Sequence, residues 1–519
     1  MNVASFFERW AISENPFRAE EARHDPVFAR LGHGPTTHPD FEKILGDLSR
    51  PSSAIVFGEK GSGKTAIRMQ AASRIEAYNR DHPDAKVLLV AYDDLNPILD
   101  RFASRSKVDG PGEPKGILKV LKRLRLVDHM DAVLHLATAR VVDMVLGEEG
   151  RSPRGAGSAA RMLRRAPEIV RGDLAVLAAV YDREEQAPAR FARLRRLIRA
   201  PGHTGRWLWR ALAYAGWVIP ALVLGLFLWL APETLRTALG LYTLAGAGAV
   251  WLIGIAKRAG WDRFAALRLA RRVTRQTRAV PRRTGTVAGC LDALPNELRR
   301  GTVLPIDDAD DTRYALLNRL RRVLGAIGYA GMVVVIDRLD EPTLISGDPE
   351  RMRAVVWPLL NNKLLQQDGL GIKLLLPIEL RYELLRESTA FFQEARLDKQ
   401  NLIERLVWTG STLFDLCTAR LNACRGPGGA GGSGGGGGAP LALTDLFEDD
   451  VTRQDLVDAL DQMHQPRDAF KMLYQCILEH CSNVTEEQQK WKIPRLVLET
   501  VRKQQSERVQ QFFKGVRPA

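Results

Sequence analysis

The sequence is short of cysteine: it has five among 519 residues, and none of them belongs to a Cys-x-x-Cys pair. An odd number without the regular spacing of a disulfide framework favours a reducing compartment. The first ten residues, MNVASFFERW, also lack the charged and then apolar order of a signal peptide. We therefore expect the N-terminus to stay in the cytoplasm.

Charge is missing altogether from two stretches, in a chain of which 26% of the residues are charged. The first is 211–231 and the second is 237–256. Each is long enough to cross a hydrocarbon core of about 30 Å as a helix. The sequence predicts a two-helix transmembrane hairpin within 207–257, and the alternative is a buried helical hairpin in a large soluble domain.

The net charge of +14 is concentrated beside these two stretches. Residues 151–210 contain 14 Lys or Arg against 5 Asp or Glu, and residues 257–300 contain 12 against 3. Positive flanks stay on the cytoplasmic side of a membrane. We therefore expect a multi-pass membrane protein with both termini in the cytoplasm. The lipid bilayer is the favoured partner for this charge, and nucleic acid is a less favoured alternative.

The stretch SAIVFGEKGSGKTAI joins an apolar strand, a glycine-rich loop and the start of a helix. In such a GxxxxGKT loop the backbone N–H groups wrap a phosphate, Lys64 reaches the β- and γ-phosphates, and the Thr65 hydroxyl binds Mg²⁺. The positive end of the following helix faces the same phosphates. The predicted nucleotide-binding residues of this loop are Gly58, Glu59, Lys60, Gly61, Ser62, Gly63, Lys64, Thr65 and Ala66.

A second apolar strand, in GMVVVIDRLDE, ends in carboxylates. A carboxylate at the end of a buried parallel strand lies beside the phosphate loop, so Asp337 is predicted to hold Mg²⁺ together with Thr65. One of Asp340 and Glu341 is predicted to orient the attacking water, and a solvated turn is the alternative for both. With Lys64 they form the predicted catalytic set.

Four further side chains are candidates for sensing the γ-phosphate. Either Glu379 or Arg381 follows a predicted strand at 372–376. Arg405 and Arg467, the latter at a predicted helix start and included among the nucleotide-binding residues, could reach the phosphates from the same chain or across a subunit interface. For each arginine, a surface salt bridge is the alternative.

The base-recognition side of the site is less well marked. The sequence has no Asn-Lys-x-Asp element of the kind that reads guanine, since 362–365 is Asn-Lys-Leu-Leu. ATP with Mg²⁺ is therefore the predicted ligand. The segment Asn15-Pro16-Phe17 is either a contact on the adenine side or part of an N-terminal strap without ligand contact.

The phosphate loop at 58–65, the strand and carboxylates at 333–341 and the apolar insertion between them together resemble the KAP-type P-loop NTPases. This branch is related to the STAND and origin-recognition-like ATPases. The resemblance implies a membrane-tethered ATP-binding switch in the bacterial cytoplasmic membrane, with the NTPase domain in the cytoplasm. Bacterial members are associated with phage exclusion and other conflict systems. Arg338 departs from the pattern, because an acid often follows the metal-binding Asp directly; nucleotide binding is therefore favoured more strongly than hydrolysis.

The expected fold is α/β: a P-loop NTPase with a parallel sheet, a helical insertion that carries the transmembrane hairpin, and a helical C-terminal region. The expected function is a membrane-anchored ATPase that binds and slowly hydrolyses Mg·ATP as a conformational switch. A non-hydrolysing signalling switch and a membrane-attached DNA-handling ATPase are the alternatives. Glycines in the second apolar run suit close helix packing and hence a homo-oligomer, and a further protein partner is expected.

The predicted boundaries follow from these motifs and from changes in composition. They are 1–45 for an N-terminal strap, 46–103 for the first half of the NTPase domain, 104–206 for the helical insertion, 207–257 for the hairpin, 258–311 for a return segment, 312–415 for the second half of the NTPase domain, and 416–519 for the C-terminal region with a glycine-rich linker at 425–440.

Overall fold

The computed structural model describes residues 1–18, 21–31, 37–105, 114–148, 153–202, 206–230, 237–425, 440–485, 488 and 490–513. The chain divides into two compact units. Unit 1 comprises Met1–Asp94, Met332–Arg353 and Leu360–Ala519, and unit 2 comprises Leu95–Gly331 and Ala354–Leu359. Almost all of the predicted glycine-rich linker lies outside the described residues, as does the predicted polar turn between the two apolar runs.

Unit 1 is built on a five-stranded parallel sheet in the order β2-β3-β4-β1-β5. Its strands are nearly continuous apolar runs, as expected when both faces of a parallel sheet are covered. The predicted strands are confirmed, and a short fifth strand was not predicted. The strands are β1 (Ala54–Gly58), β2 (Lys86–Tyr92), β3 (Tyr329–Ile336), β4 (Leu370–Pro377) and β5 (Asn401–Ile403).

The helices of unit 1 cover the sheet and build a second core beside it. The second core joins the N-terminal segment to the C-terminal helices, and in it Phe6 and Phe17 pack with Leu413, Leu473 and Leu498. The helices are α1 (Val3–Arg9), α2 (Pro26–Leu31), α3 (Phe41–Leu45), α4 (Lys64–Asp81), α17 (Pro349–Val356, whose last residues belong to unit 2), α18 (Asn362–Leu365), α19 (Ile378–Leu385), α20 (Thr389–Ala395), α21 (Gly410–Ala423), α22 (Arg453–Asp461), α23 (Pro466–Asn483) and α24 (Arg495–Phe513).

Unit 2 is helical. Its core contains buried ion pairs, such as that of Arg313 with Asp131 at 3.2 Å. The Tyr181 hydroxyl also donates a hydrogen bond to Asp131, at 2.7 Å. The helices are α5 (Asn96–Arg105), α6 (Pro114–Leu121), α7 (Leu126–Leu146), α8 (Pro153–Arg165), α9 (Glu168–Tyr181), α10 (Ala187–Ile198), α11 (Arg206–Ala215), α12 (Val218–Leu230), α13 (Ala238–Ile255), α14 (Asp262–Gln276), α15 (Thr284–Asp292) and α16 (Asp310–Ala326).

The first apolar run is not one helix, so the prediction of a continuous helix over 211–231 is wrong. The run is divided between α11 and α12, with the break at Gly216 and Trp217. Pro220 explains the break, because a proline ring clashes with the carbonyl four residues earlier, here that of Gly216, and proline is tolerated only in the first turn of a helix. With 13 residues, α12 is about 20 Å long.

One helix, α13, is long and apolar enough to cross a membrane among the residues that the structure describes. It has 18 residues and a mean hydropathy of 1.7, and 11% of it is buried. Its N-terminus is capped by the Thr237 side chain, which accepts a hydrogen bond from the backbone N–H of Gly240. The predicted pair of spanning helices is thus reduced to one helix of sufficient length, beside two shorter ones.

Candidate functional site

The loop between β1 and α4 turns back on itself through two glycines. Gly61 has φ of +102° and Gly63 has φ of +94°, a conformation in which any other residue is strained. Lys64 is the first residue of α4, and its Nζ donates hydrogen bonds to the carbonyls of Gly58 (2.7 Å) and Glu59 (2.9 Å). The ammonium group is therefore folded back over the loop.

Asp337 lies directly beyond the carboxyl end of β3 and meets the same loop. The Thr65 hydroxyl donates a hydrogen bond to its Oδ2 at 3.1 Å, across 272 residues of sequence. Arg68, one turn further along α4, places its Nε 3.5 Å from the same oxygen and also binds Asp93 at the end of β2. The structure therefore brings Thr65 and Asp337 together, as the sequence predicted.

Burial changes the ionisation of the two charged groups at the centre of the site. Asp337 is 1% exposed, and loss of solvation raises its pKa above the usual range, against the opposing effect of Arg68. Loss of solvation likewise lowers the pKa of Lys64, while the carboxylates of Asp337 and Asp340 oppose the change. Both groups are thus less strongly solvated than surface side chains and interact more strongly with an added charge.

The side chains of Thr65 and Asp337 are chemically suited to hold a metal ion. Hydroxyl and carboxylate oxygens suit Mg²⁺, which keeps several waters and takes its other ligands from substrate phosphates rather than from a protein cage. No cluster of three or more His, Cys, Asp or Glu side chains that would hold a metal alone occurs within the described ranges. The pair therefore fits a Mg²⁺ that arrives with phosphates.

A cavity of about 520 Å³ opens at the carboxyl ends of β1, β3 and β4. Ligands of open parallel sheets bind at this edge. From the phosphate loop and its helix the lining residues include Lys64 and Thr65; from the segment after β3 they include Asp337; and from the end of β4 they include Glu379. The same cavity reaches helices near both ends of the chain, through Asp25, Phe28, Leu31, Leu416, Arg420, Arg467 and Phe470.

The far end of the cavity combines apolar and aromatic side chains with one buried ion pair. Arg420 binds the Asp25 carboxylate at 2.6 Å and donates to the Pro16 carbonyl at 2.7 Å. Its guanidinium lies 4.4 Å from the centre of the Phe470 ring. Asn15, Pro16 and Phe17 do not themselves line the cavity; the N-terminal segment reaches it further on, with Phe28 among others.

Three side chains from the C-terminal part of unit 1 contact the phosphate loop, and of these the sequence analysis singled out Arg467. Trp408 donates from Nε1 to the Ser62 carbonyl at 2.9 Å, and Gln465 donates to the Glu59 carboxylate. Arg467 lies so close to Gly61 that a Cβ there would be 3.0 Å from its Cβ and Cδ. Trp408 and Gln465 could not be placed from the sequence, because neither residue has a spacing that indicates such a contact.

The other predicted residues are divided between the cavity and ion pairs beside it. Asp340, Glu341, Glu379, Lys60 and Ala66 line the cavity, whereas Gly58, Glu59 and Ser62 form the body of the loop. Glu341 is also ion-paired with Arg338, whose φ of +61° lies in the left-handed region. Arg381 binds Glu404 at 2.7 Å and Arg405 binds Glu59 at 2.7 Å. Neither arginine is among the residues that line the cavity.

These residues provide a loop of backbone N–H groups, a lysine, a hydroxyl–carboxylate pair and an open cavity that is lined in part by apolar side chains. That combination suits a ligand with a polyphosphate at one end and a flat, weakly polar group at the other. Comparison with known proteins adds no relative, since no family model, curated protein or solved structure matches the chain.

Proposed function

We propose that this chain is a membrane-anchored P-loop ATPase that uses the binding and slow hydrolysis of Mg·ATP as a conformational switch. The triphosphate would lie against the loop from Gly58 to Thr65. Bound Mg²⁺ would neutralise charge on the β- and γ-phosphates. Lys64 would hold the same phosphates, and the adenine would occupy the apolar end of the cavity.

The observation that carries this proposal is the 3.1 Å hydrogen bond between Thr65 and Asp337 at the mouth of the cavity. Two residues that are 272 positions apart come together only if the fold requires it. The glycine conformations on one side of the pair and the buried carboxylate on the other fit one purpose, which is to hold a metal-bound phosphate.

The proposed switch rests on the contacts between the loop and the C-terminal helices. Gln465 and Arg467 belong to the start of α23, and they touch Glu59 and Gly61 of the phosphate loop. A shift of the loop on nucleotide binding would therefore be transmitted to α23 and to the core that it shares with the N-terminal segment. This is how occupancy of the site would alter a surface for self-association or for a partner.

Hydrolysis is proposed to depend on Asp340 more than on Glu341. Both carboxylates line the cavity, but that of Glu341 is already ion-paired with Arg338, whereas Asp340 acts on the charge of Lys64. The Arg338–Glu341 pair also favours a second candidate function, a switch that binds ATP and does not turn it over.

Single-turnover hydrolysis by the detergent-solubilised full chain separates these two functions. We expect Asp340→Asn to slow phosphate release by roughly 10²-fold, as the loss of a water-positioning group does, and Glu341→Gln to change it little. If ATP binds and the wild type releases no phosphate, the non-hydrolysing switch is supported. If the wild type releases phosphate and neither variant slows it, catalysis through these carboxylates is wrong. If the wild type binds no ATP, both functions fail.

The membrane anchor is proposed from the exposed apolar surface of unit 2. Of α13, 11% is buried, whereas a core helix of a soluble domain is mostly buried. The helix also lies far from the N-terminus, unlike a signal sequence. Its 18 residues span about 27 Å, close to the thickness of a hydrocarbon core. Large exposed side chains on α12 and α13 are Leu222, Leu226, Leu228, Trp229, Leu239, Leu241, Tyr242, Leu252 and Ile253.

We propose that α11 and α12 complete a second crossing beside α13. Trp251 donates from Nε1 to the Ala213 carbonyl at 3.3 Å, and a Cβ on Gly254 would lie 2.8 Å from Cγ of Leu212. The helices are thus packed closely through a glycine, as membrane helices often are. Lys64 precedes this element and Asp337 follows it, so the chain must return to the side that it left, and an even number of crossings satisfies that requirement.

Cysteine labelling tests this arrangement with little background, because the five natural cysteines are all buried. In intact cells, a membrane-impermeant maleimide is expected to label Leu239→Cys, at the outer end of α13. The matched variant Asp84→Cys, exposed in unit 1, should be labelled only after permeabilisation. Labelling of both sites before permeabilisation, or release of the protein from membranes by alkaline washing, would contradict the proposed topology.

A further inference from the structure

One face of α14 is exposed and carries no acidic residue. The exposed residues of this face recur every three or four positions, which places them along one side of the helix. The opposite side is buried through Ala266, Ala270 and Val273. We call the basic part of this face, formed by four exposed arginines, the arginine stripe: Arg268, Arg271, Arg272 and Arg275.

The guanidinium groups of the four arginines have no hydrogen bond or ion pair within the part of the chain that the structure describes. The contrast with the next arginine on the chain is clear, because Arg278 binds the buried Asp128 at 2.9 Å. Like charges three and four residues apart destabilise a helix. The stripe therefore has no internal counter-charge and suits an external polyanion.

The stripe lies on the direct continuation of the apolar helix α13. The backbone is helical through the junction, with φ −64° and ψ −51° at Ile255 and φ −62° and ψ −50° at Trp261. Trp261 and Phe264, which are 76% and 62% exposed, come first on the same face. An exposed tryptophan just beyond the end of an apolar helix fits the layer of lipid headgroups.

Distance along the helix argues against lipid as the polyanion. Residues Ala256–Trp261 form a π-helix, and α14 continues from its end. At 1.5 Å per residue, Arg268 lies about 10 Å beyond Trp261 and Arg275 lies about 20 Å beyond it. The headgroup layer on one side of a bilayer is only about 5–8 Å thick. If α13 spans the membrane as proposed above, the stripe stands in the aqueous phase, out of reach of the headgroups.

We propose that the arginine stripe binds the phosphodiester backbone of nucleic acid close to the membrane. Arginine is the side chain best suited to phosphate, because its planar guanidinium donates in pairs. The stripe covers about 10 Å of helix, which matches the span of a few successive phosphates on one strand. Such contacts position a nucleic acid without reading its sequence, so the binding is independent of sequence. The inference uses no residue of the nucleotide site.

The test measures the binding of fluorescent oligonucleotides to the detergent-solubilised full chain by fluorescence anisotropy, over a range of salt concentrations. Single-stranded DNA, duplex DNA and RNA are tested separately. The stripe variant R268Q/R271Q/R272Q/R275Q is compared with a control of equal charge loss on exposed arginines of unit 1, R9Q/R50Q/R74Q/R80Q. ATP turnover by both variants confirms that they are folded.

We expect the wild type and the control to bind at about 50 mM salt, and the stripe variant to bind at least about tenfold more weakly. The slope of log affinity against log salt for duplex DNA should become shallower by about 0.9 for each phosphate that the variant no longer neutralises. The proposal is overturned if the wild type binds no oligonucleotide, or if both variants lose affinity equally. It is also overturned if the stripe arginines instead determine binding to nanodiscs of phosphatidylserine. Each outcome leaves the ATPase proposal standing, because turnover is measured separately.

Discussion

Replacing Lys64 with alanine is expected to lower ATP turnover by roughly 10²–10³-fold, the usual cost of removing one group that stabilises developing charge. The reason lies in the position of its ammonium group, which is folded over the phosphate loop and sits among carboxylates rather than in solvent. A cation with a reduced solvation shell interacts more strongly with an arriving triphosphate than a surface lysine does.

The matched control is Lys43→Ala, an exposed lysine of unit 1. Both variants should bind to membranes equally and should melt within a few degrees of the wild type, because the hydrogen bonds of the Lys64 ammonium to two loop carbonyls are local to the loop. Turnover by Lys64→Ala equal to that of the control would show that the loop is not the site of hydrolysis.

Replacing Asp337 with asparagine is expected to remove the dependence of ATP binding on Mg²⁺ and to lower turnover by roughly 10²-fold. Asparagine keeps the shape of the side chain and can still accept the Thr65 hydrogen bond, but it has no charge to offer a metal. The measurement is a titration of ATP affinity at rising Mg²⁺ concentration, with Asp84→Asn as the control. A variant that responds to Mg²⁺ as the wild type does would place the metal elsewhere.

The same substitution is expected to leave stability unchanged or to raise it. Burial raises the pKa of Asp337, so the folded protein binds the proton more tightly than the unfolded chain does. The ionised carboxylate therefore costs stability, and this cost grows as the pH rises from the unfolded pKa through the folded pKa. An uncharged asparagine avoids it, and Arg68 keeps Asp93 as a partner. Unchanged melting would thus separate a loss of metal binding from a loss of folding.

Local pattern was sufficient to predict that the phosphate loop and Asp337 lie together at one edge of the sheet. The phosphate loop and the strand before Asp337 are each one continuous stretch whose residue types indicate a single local structure. Parallel strands also end at a common edge of the sheet. Residues that reach the site from a distance were harder to find. Trp408 and Gln465 make single hydrogen bonds to loop groups, and neither the tryptophan nor the glutamine has a spacing that indicates such a role. Arg467 was found only because it begins a predicted helix.

The apolar segments show where composition alone misleads. Counting charges over 211–231 identifies an apolar stretch but not the continuity of its backbone, which depends on Pro220 and on the carbonyl of Gly216. The second run has no proline and forms one helix, α13. Hydropathy therefore located the apolar stretches, and the position of a single proline determined where α11 ends and α12 begins.

The most direct test of the central claim is the structure of the full chain, in lipid nanodiscs, with Mg²⁺ and a non-hydrolysable ATP analogue. We predict the triphosphate against Gly61, Gly63 and Lys64, the metal within coordination distance of the Thr65 hydroxyl and near the Asp337 carboxylate, and α13 within the bilayer. A nucleotide bound elsewhere, or an Asp337 carboxylate far from the metal, would contradict the account.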